Sequence, residues 1–243
     1  QDDLKEKCQI IHFTDDMKLA AEPYILVPEI MTRKSWNDVF SIPLDDLSQL
    51  VAPKRIIYCE GKDRPGNNGE ENGLDAQVFN NIFGEKYSDT VFVSSGGNTE
   101  LDQRSQFAIS ILSKVFPDIE ILVLKDRDIS SGASTSLEDR KIYLQNNPPN
   151  HRVLLRREIE NYLYDKEVLI NYCTANNLSF SATDYENFVS NVNDQNLKDE
   201  SSRIKNFCNI TTSINTEVFK INLSKHISSD MSVFKELEEC VFK

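Results

Sequence analysis

The chain lacks any run approaching the roughly 18 apolar residues that a membrane span needs. Its N-terminus has neither the charged nor the apolar region of a signal peptide. Both absences lead us to read it as cytoplasmic, with no membrane partner. A CxxC pair is missing too: Cys8, Cys59, Cys173, Cys208 and Cys240 are odd in number and scattered. This argues against a zinc framework and makes reduced thiols the default. Histidine is scarce, and His12, His151 and His226 have no mutual spacing that suggests a metal or catalytic set. Positive charge is short as well, since 27 Lys and Arg face 39 Asp and Glu, for a net charge of −12. That balance counts against a protein that grips nucleic acid by broad electrostatics, because neutralising phosphates takes Lys and Arg.

What remains is an ordinary globular composition over 243 residues, 39% hydrophobic and 27% charged, long enough to bury a real core. The organising stretch is Arg55 to Asp63, R-I-I-Y-C-E-G-K-D. Its apolar run Ile56–Cys59 has strand length and a β-branched and aromatic bias, and it stops on Glu60 and Gly61. A second run, Ile119 to Leu124, leads into Lys125, Asp126, Arg127 and Asp128. In open α/β sheets ligands bind at the C-terminal strand tips. Acids fixed on adjacent tips repel one another unless a hard cation lies between them, and oxygen donors on rigid supports suit Mg²⁺ or Mn²⁺. Such a site would also concentrate carboxylates whose charge the ions cancel.

In chain order, residues 1–48 read as broken fragments interrupted by Pro23, Pro28 and Pro43, with Trp36 as packing. A polar loop from Arg64 to Gly73 precedes a helix expected over Leu74–Phe83. A strand at Thr90–Val93 and a helix at Leu101–Val115 follow, the helix grouping Phe107, Ile111, Leu112 and Val115 on one side. Further on we expect a strand at Glu120–Leu124, a short helix at Leu137–Leu144 and a strand at Arg152–Leu155. The alternation predicts an α/β fold, a mostly parallel sheet of about four strands flanked by helices. Residues 169–243 form a helical C-terminal region, with candidates at Val168–Cys173, Tyr185–Val192, Ser201–Phe207 and Met231–Phe242. Because the chain starts on Gln1 and runs straight into charged, helix-like sequence, we expect it to be a piece of a longer polypeptide.

Three segments together, Glu60-Gly61-Lys62-Asp63, Asp126-Arg127-Asp128 and Arg157-Glu158-Ile159-Glu160-Asn161-Tyr162, resemble the Toprim domain. The closest likeness is to the nucleases of the OLD family and their phage-defence relatives. The resemblance covers roughly residues 50–168 and implies a Toprim catalytic domain at 49–168. It implies that residues 1–48 end an upstream ABC-type ATPase domain, with a homo-oligomer as a further expectation. The implied activity is metal-dependent phosphodiester hydrolysis of DNA or RNA, with two Mg²⁺ or Mn²⁺ ions. By the same resemblance, Glu60, Asp126 and Asp128 are catalytic acids and metal ligands, Asp63, Glu158 and Glu160 are additional ligands, and a late lysine is catalytic. Lys166 is the first choice for that lysine, with Lys62 and Lys125 as rivals. Arg127, Arg156 and Arg157 are candidates for phosphate contact, balanced against ion pairing with the site's own acids. No tyrosine nucleophile can be assigned, although Tyr162 and Tyr164 are near. Two other readings stand beside this one: a degenerate Toprim acting as a binding or assembly module, and a receiver-like phosphate-binding domain. The second is disfavoured because the D-x-D follows the third strand rather than the first.

Overall fold

The computed structural model of the protein describes residues 53–61, 71–96, 98–115, 119–127 and 136–243. Residues 1–48, expected to end an upstream domain, lie outside them, as do Asp63, Lys62 and Asp128. The described residues build an α/β fold around a four-stranded parallel sheet of order β2-β1-β3-β4. β1 is Arg55–Cys59, β2 Thr90–Ser94, β3 Glu120–Lys125 and β4 His151–Val153. β1 is central and pairs in parallel with both β2 and β3, so that Cys59 lies level with Ser94 on one side and Leu124 on the other. β1 alternates half-buried and buried residues at its C-terminal end, whereas β3 is buried from Ile121 to Lys125 on both faces and reads as a nearly continuous hydrophobic run.

The first crossover helix, α1 (Leu74–Phe83), buries Ala76, Val78, Phe79, Ile82 and Phe83. Phe79 and Phe83 stack on Phe92 of β2 at 5.2 and 5.6 Å between centroids. The Asn80 amide donates to the Phe92 carbonyl and accepts from its N–H, each at 2.9 Å. One side chain therefore closes part of the exposed backbone of this edge strand. α2 (Asn98–Val115) turns differently from expectation. Leu101 and Ser105 are buried, whereas Phe107 and Ile111 are 70% and 58% exposed. The inward stripe follows Leu101, Ser105, Ala108 and Leu112, which leaves Phe107 and Ile111 on the outer side.

α3 (Leu137–Asn146) begins on Ser136, whose hydroxyl accepts from the Asp139 N–H at 3.1 Å. It leads to β4, which ends at Val153 rather than at Leu155. The cause is local: the N–H groups of Leu155 and Arg156 donate to the buried Tyr162 hydroxyl at 3.1 and 2.9 Å instead of extending the ladder.

Six helices follow among the described residues: α4 (Ile159–Leu163), α5 (Lys166–Ala175), α6 (Ala182–Phe188), α7 (Ser201–Phe207), α8 (Thr216–Ser224) and α9 (Ser232–Phe242). They share one continuous core with the sheet and α1. Phe83 meets Phe234 at 5.3 Å and Phe242 at 5.1 Å, and Tyr87 stacks on Phe242 at 3.8 Å. The Asn81 amide donates to the Ser224 hydroxyl at 3.0 Å, tying α1 to α8. A division at residue 168 thus falls inside α5, and the helical region packs directly on the sheet layer. Among the described residues no helix is long and apolar enough to cross a membrane.

Candidate functional site

The tips of β1, β2 and β3 are level, and the chain around them is tightly pinned. Gly61 and Gly96 exchange backbone hydrogen bonds at 3.2 and 2.8 Å just past the strands, with φ of +128° and +93°. Side-chain-bearing residues rarely adopt that region. A Cβ on Gly61 would lie 2.7 Å from Asp75 Oδ2. The glycine of the first motif therefore lets the Asp75 carboxylate rest against the β1 tip. Glu71 works as a latch, accepting from the Gly73 N–H at 2.6 Å and from the Ser94 N–H at 3.1 Å. The Ser94 hydroxyl in turn accepts from the Ala76 N–H at 3.3 Å, holding the first turn of α1 at the sheet.

Into this frame come Glu60 from β1, Asp126 from β3 and Asp75 from α1. With Lys125 they line one small cavity of about 10 Å³, floored by Cys59, Phe79, Leu124 and Ile159. That is space for a single water-sized body. The sequence therefore named two of the three acids brought together here. Asp75 was missed because an acid in the first turn of a helix has an ordinary purpose there, complementing the helix dipole.

Negative charge accumulates around Asp75. Burial, then the carboxylates of Glu160 and Glu60, push its pKa up from 3.8 to about 7, against the opposing pull of Lys220 and Lys198. The Cys59 thiol beneath is raised well above its usual range by burial and then by Asp75, Glu71 and Asp126. Burial followed by Glu160 also raises Glu158, while Lys198 pulls it down.

The third acidic segment is held from within. Glu158 is 1% exposed and caps α4: its N–H donates to Asn161 Oδ1 at 3.1 Å, and its own carboxylate accepts from the Leu197 N–H at 3.2 Å. Glu160 forms a buried ion pair with Lys220, 2.5 Å from Oε1 to Nζ. Lys220 and Lys198 are thus the cations beside the acids, and neither was singled out from sequence. Lys220 sits between Phe219 and Ile221 in α8, a helix whose pattern such a buried charge obscures. Lys166 does not join this group. It opens α5 and pairs with Glu186 at 2.5 Å on the surface.

The three arginines proposed for phosphate contact are occupied differently. Arg127 is 2% exposed and donates to the carbonyls of Leu155 at 2.7 Å and Asn193 at 3.1 Å, and to the Asp194 carboxylate. Arg156 forks onto Glu236 with two bonds of 3.1 Å, reaches Asp165 at 2.6 Å and the Asn161 carbonyl at 3.0 Å, and lies 4.8 Å over the Tyr162 ring. These two guanidiniums hold the segment after β4 against the C-terminal helices, and their burial keeps them from an incoming strand. Of the two roles weighed for them, phosphate contact and ion pairing, these side chains make ion pairs within the fold. Arg157 is half-buried, and its backbone N–H donates to the Asn193 carbonyl at 2.8 Å.

The donor set of the cavity consists of hard carboxylate oxygens, which fits Mg²⁺ or Mn²⁺ in kind. Among the described residues no group of three or more His, Cys, Asp or Glu is arranged to enclose an ion, and Asp63 and Asp128 lie outside those residues. No family model matches the sequence, and no curated protein matches it. Among solved structures, the C-terminal region of the Burkholderia pseudomallei OLD protein is similar to it at 15% identity, with a TM-score of 0.38, covering 78% of this chain and 96% of that one.

Proposed function

We propose that this chain carries a metal-dependent nuclease site of Toprim type, hydrolysing phosphodiester bonds of DNA or RNA. The observation that supports it most is the convergence of Glu60, Asp126 and Asp75 on one cavity at the tips of adjacent parallel strands. Glu60, Asp126 and Asp75 would hold the metal, with Asp63 and Asp128 as the further ligands that the resemblance implies. A divalent ion bound there supplies Lewis-acid polarisation of a phosphoryl oxygen and a more acidic water. The chain's own groups do the rest. Glu60 and Asp75 accept and pass a proton at their carboxylate oxygens. Lys125, buried with its ammonium 5.4 Å over the Tyr143 ring, lines the cavity and would balance the charge of its acids. Glu160 and Lys220 act behind them, positioning the acids and balancing their charge. In this reading Lys125 or Lys220, rather than Lys166, is the functional lysine. An upstream ABC-type ATPase domain, as in OLD-like defence proteins, would supply the trigger and the assembly.

A second reading is a Toprim-like module that binds without cutting. It is favoured by the Glu160–Lys220 pair, which occupies one expected ligand. Incubating the protein with DNA and RNA panels, with and without Mn²⁺, beside Glu60→Gln and Asp126→Asn separates the two. Mn²⁺-dependent cleavage lost in both variants supports the nuclease. Mn²⁺ binding of wild-type affinity in both variants, with no cleavage by any form, favours the module.

A further inference from the structure

The basic residues that follow β3 divide into two groups. Arg127 and Arg156 are neutralised inside the fold by Asp194, Asp165 and Glu236. Arg140 of α3 and Arg152 of β4 form no ion pair among the described residues, and neither does Lys243, which follows α9. These three cations, with His151, line an open cavity of about 280 Å³ along β4, the edge strand of the sheet among the described residues. Glu239 is the carboxylate in that lining, and it is exposed.

Part of each guanidinium is fixed by the backbone. Arg140 Nε donates to the Val153 carbonyl at 3.0 Å, and Arg152 Nη1 donates to the carbonyls of Pro149 at 2.7 Å and His151 at 3.0 Å. Arg152 Nε is buried with no acceptor. A buried guanidinium nitrogen without an acceptor is costly, and its cost is relieved when an anion enters. In a chain with 39 acids and 27 bases, three cations gathered without ion-paired carboxylates is a selective arrangement. Planar guanidinium forks held by backbone carbonyls suit a tetrahedral oxyanion.

The cavity is also connected to the acidic one. Lys125 lines the acidic cavity and places its ammonium over the Tyr143 ring, and the Tyr143 hydroxyl hydrogen-bonds His151 Nδ1 at 2.8 Å. We propose that the β4-edge cavity is a phosphate-binding site that takes a phosphate monoester or diester through Arg140, Arg152 and Lys243. It is separate from the acid cavity, and binding there needs no cleavage. That the phosphate belongs to a strand also reaching Glu60 and Asp126 rests on the nuclease reading.

The test uses the full chain in EDTA, so that cleavage plays no part. Inorganic phosphate, adenosine 5′-monophosphate and a short single-stranded oligonucleotide are titrated by calorimetry into wild type, Arg140→Gln, Lys243→Glu and Glu239→Gln. Lys243 and Glu239 are exposed, so those variants keep the fold, and circular dichroism verifies it. We expect Lys243→Glu, which makes the site two charges more negative, to weaken phosphate binding about 5–20-fold, and Glu239→Gln, which removes one negative charge, to tighten it about 2–5-fold. Oligonucleotide affinity far above that of the monophosphate, with the same charge dependence, identifies a strand as the ligand. Equal affinities identify a free phosphate compound. Absent phosphate binding, or binding indifferent to both Lys243→Glu and Glu239→Gln, overturns the inference. If the nuclease reading alone fails, phosphate binding persists with its Lys243 dependence. If this inference alone fails, Mn²⁺-dependent cleavage is unchanged in Lys243→Glu.

Discussion

Two cavities connected through Tyr143 carry opposite charge, and they are built by opposite means. The one at the tips of β1 and β3 is about 10 Å³, pinned by the Gly61–Gly96 bridge and the Glu71 latch, and supplied with Glu60, Asp75 and Asp126. The one at the β4 edge is about 280 Å³, open, and lined by Arg140, Arg152 and Lys243. In the readings proposed for them, the first takes a small cation and the second a larger anion. A net charge of −12 describes neither of them. Its lesson is that global charge argues about solubility and long-range steering, while chemistry is decided by which groups a fold leaves unneutralised.

The largest effect should come from removing the acids of the small cavity. The double variant Glu60→Gln/Asp126→Asn should lose at least about 10²-fold in cleavage rate, since both metal holding and proton transfer are removed. Its melting temperature should stay level or rise by a few degrees, because like charges are relieved. Cleavage assays and thermal melts on the same preparations check this. A collapse of the fold would show that these carboxylates are structural.

Next in size is the charge that balances those acids. Lys220→Met leaves Glu160 buried without its partner and should cost about 3–5 kcal/mol in denaturant unfolding. Lys220→Met combined with Glu160→Leu should recover most of that loss. Recovery would assign the pair to fold rather than to catalysis.

A smaller effect follows from Asp75. Its carboxyl titrates near its ordinary 3.8 in the unfolded chain and at about 7 in the fold. Between those values the unfolded state has released a proton that the folded state still holds, so the contribution of Asp75 to stability is full below about pH 4 and is lost as the pH rises toward 7. In metal-free protein the decline should be on the order of 1–3 kcal/mol after allowance for partial solvation. Comparing wild type with Asp75→Asn across that range isolates it, and parallel pH profiles for the two would refute the shift.

The smallest effect is expected at α2. Phe107→Ser and Ile111→Ser should each change stability by under about 0.5 kcal/mol, as exposed positions do. Had these residues formed the inward face, losses of roughly 2–5 kcal/mol would be expected.

That helix also shows how far the sequence could be read. Leu74–Phe83 was legible because its apolar spacing and its flanking loop and strand agreed, and the parallel sheet followed from strict alternation. The α2 face was misread because the inward stripe passes through Ser105 and Ala108, one polar and one small, while Phe107 and Ile111 carry the stronger hydrophobic signal. Glu60 and Asp126 were legible as acids at the ends of apolar runs. Asp75 was not, because an acid in the first turn of a helix has an ordinary purpose there, and Lys198 and Lys220 were not, because they approach the acids from a turn and a helix far along the chain, a register not written in local periodicity. The role of the arginines stayed open for another reason: a basic cluster looks the same in sequence whether its acceptors are phosphates or the chain's own Asp194, Asp165 and Glu236.

The central claim, that the acids at the β1 and β3 tips hold a divalent metal, is tested most directly by Mn²⁺ titration of the intact protein, followed by electron paramagnetic resonance of the free ion. Glu60→Gln is run in parallel. The account predicts saturable Mn²⁺ uptake by the wild type, competed by Mg²⁺ and weakened at least tenfold in the variant. Uptake of equal strength in both proteins, or none in the wild type, would contradict it.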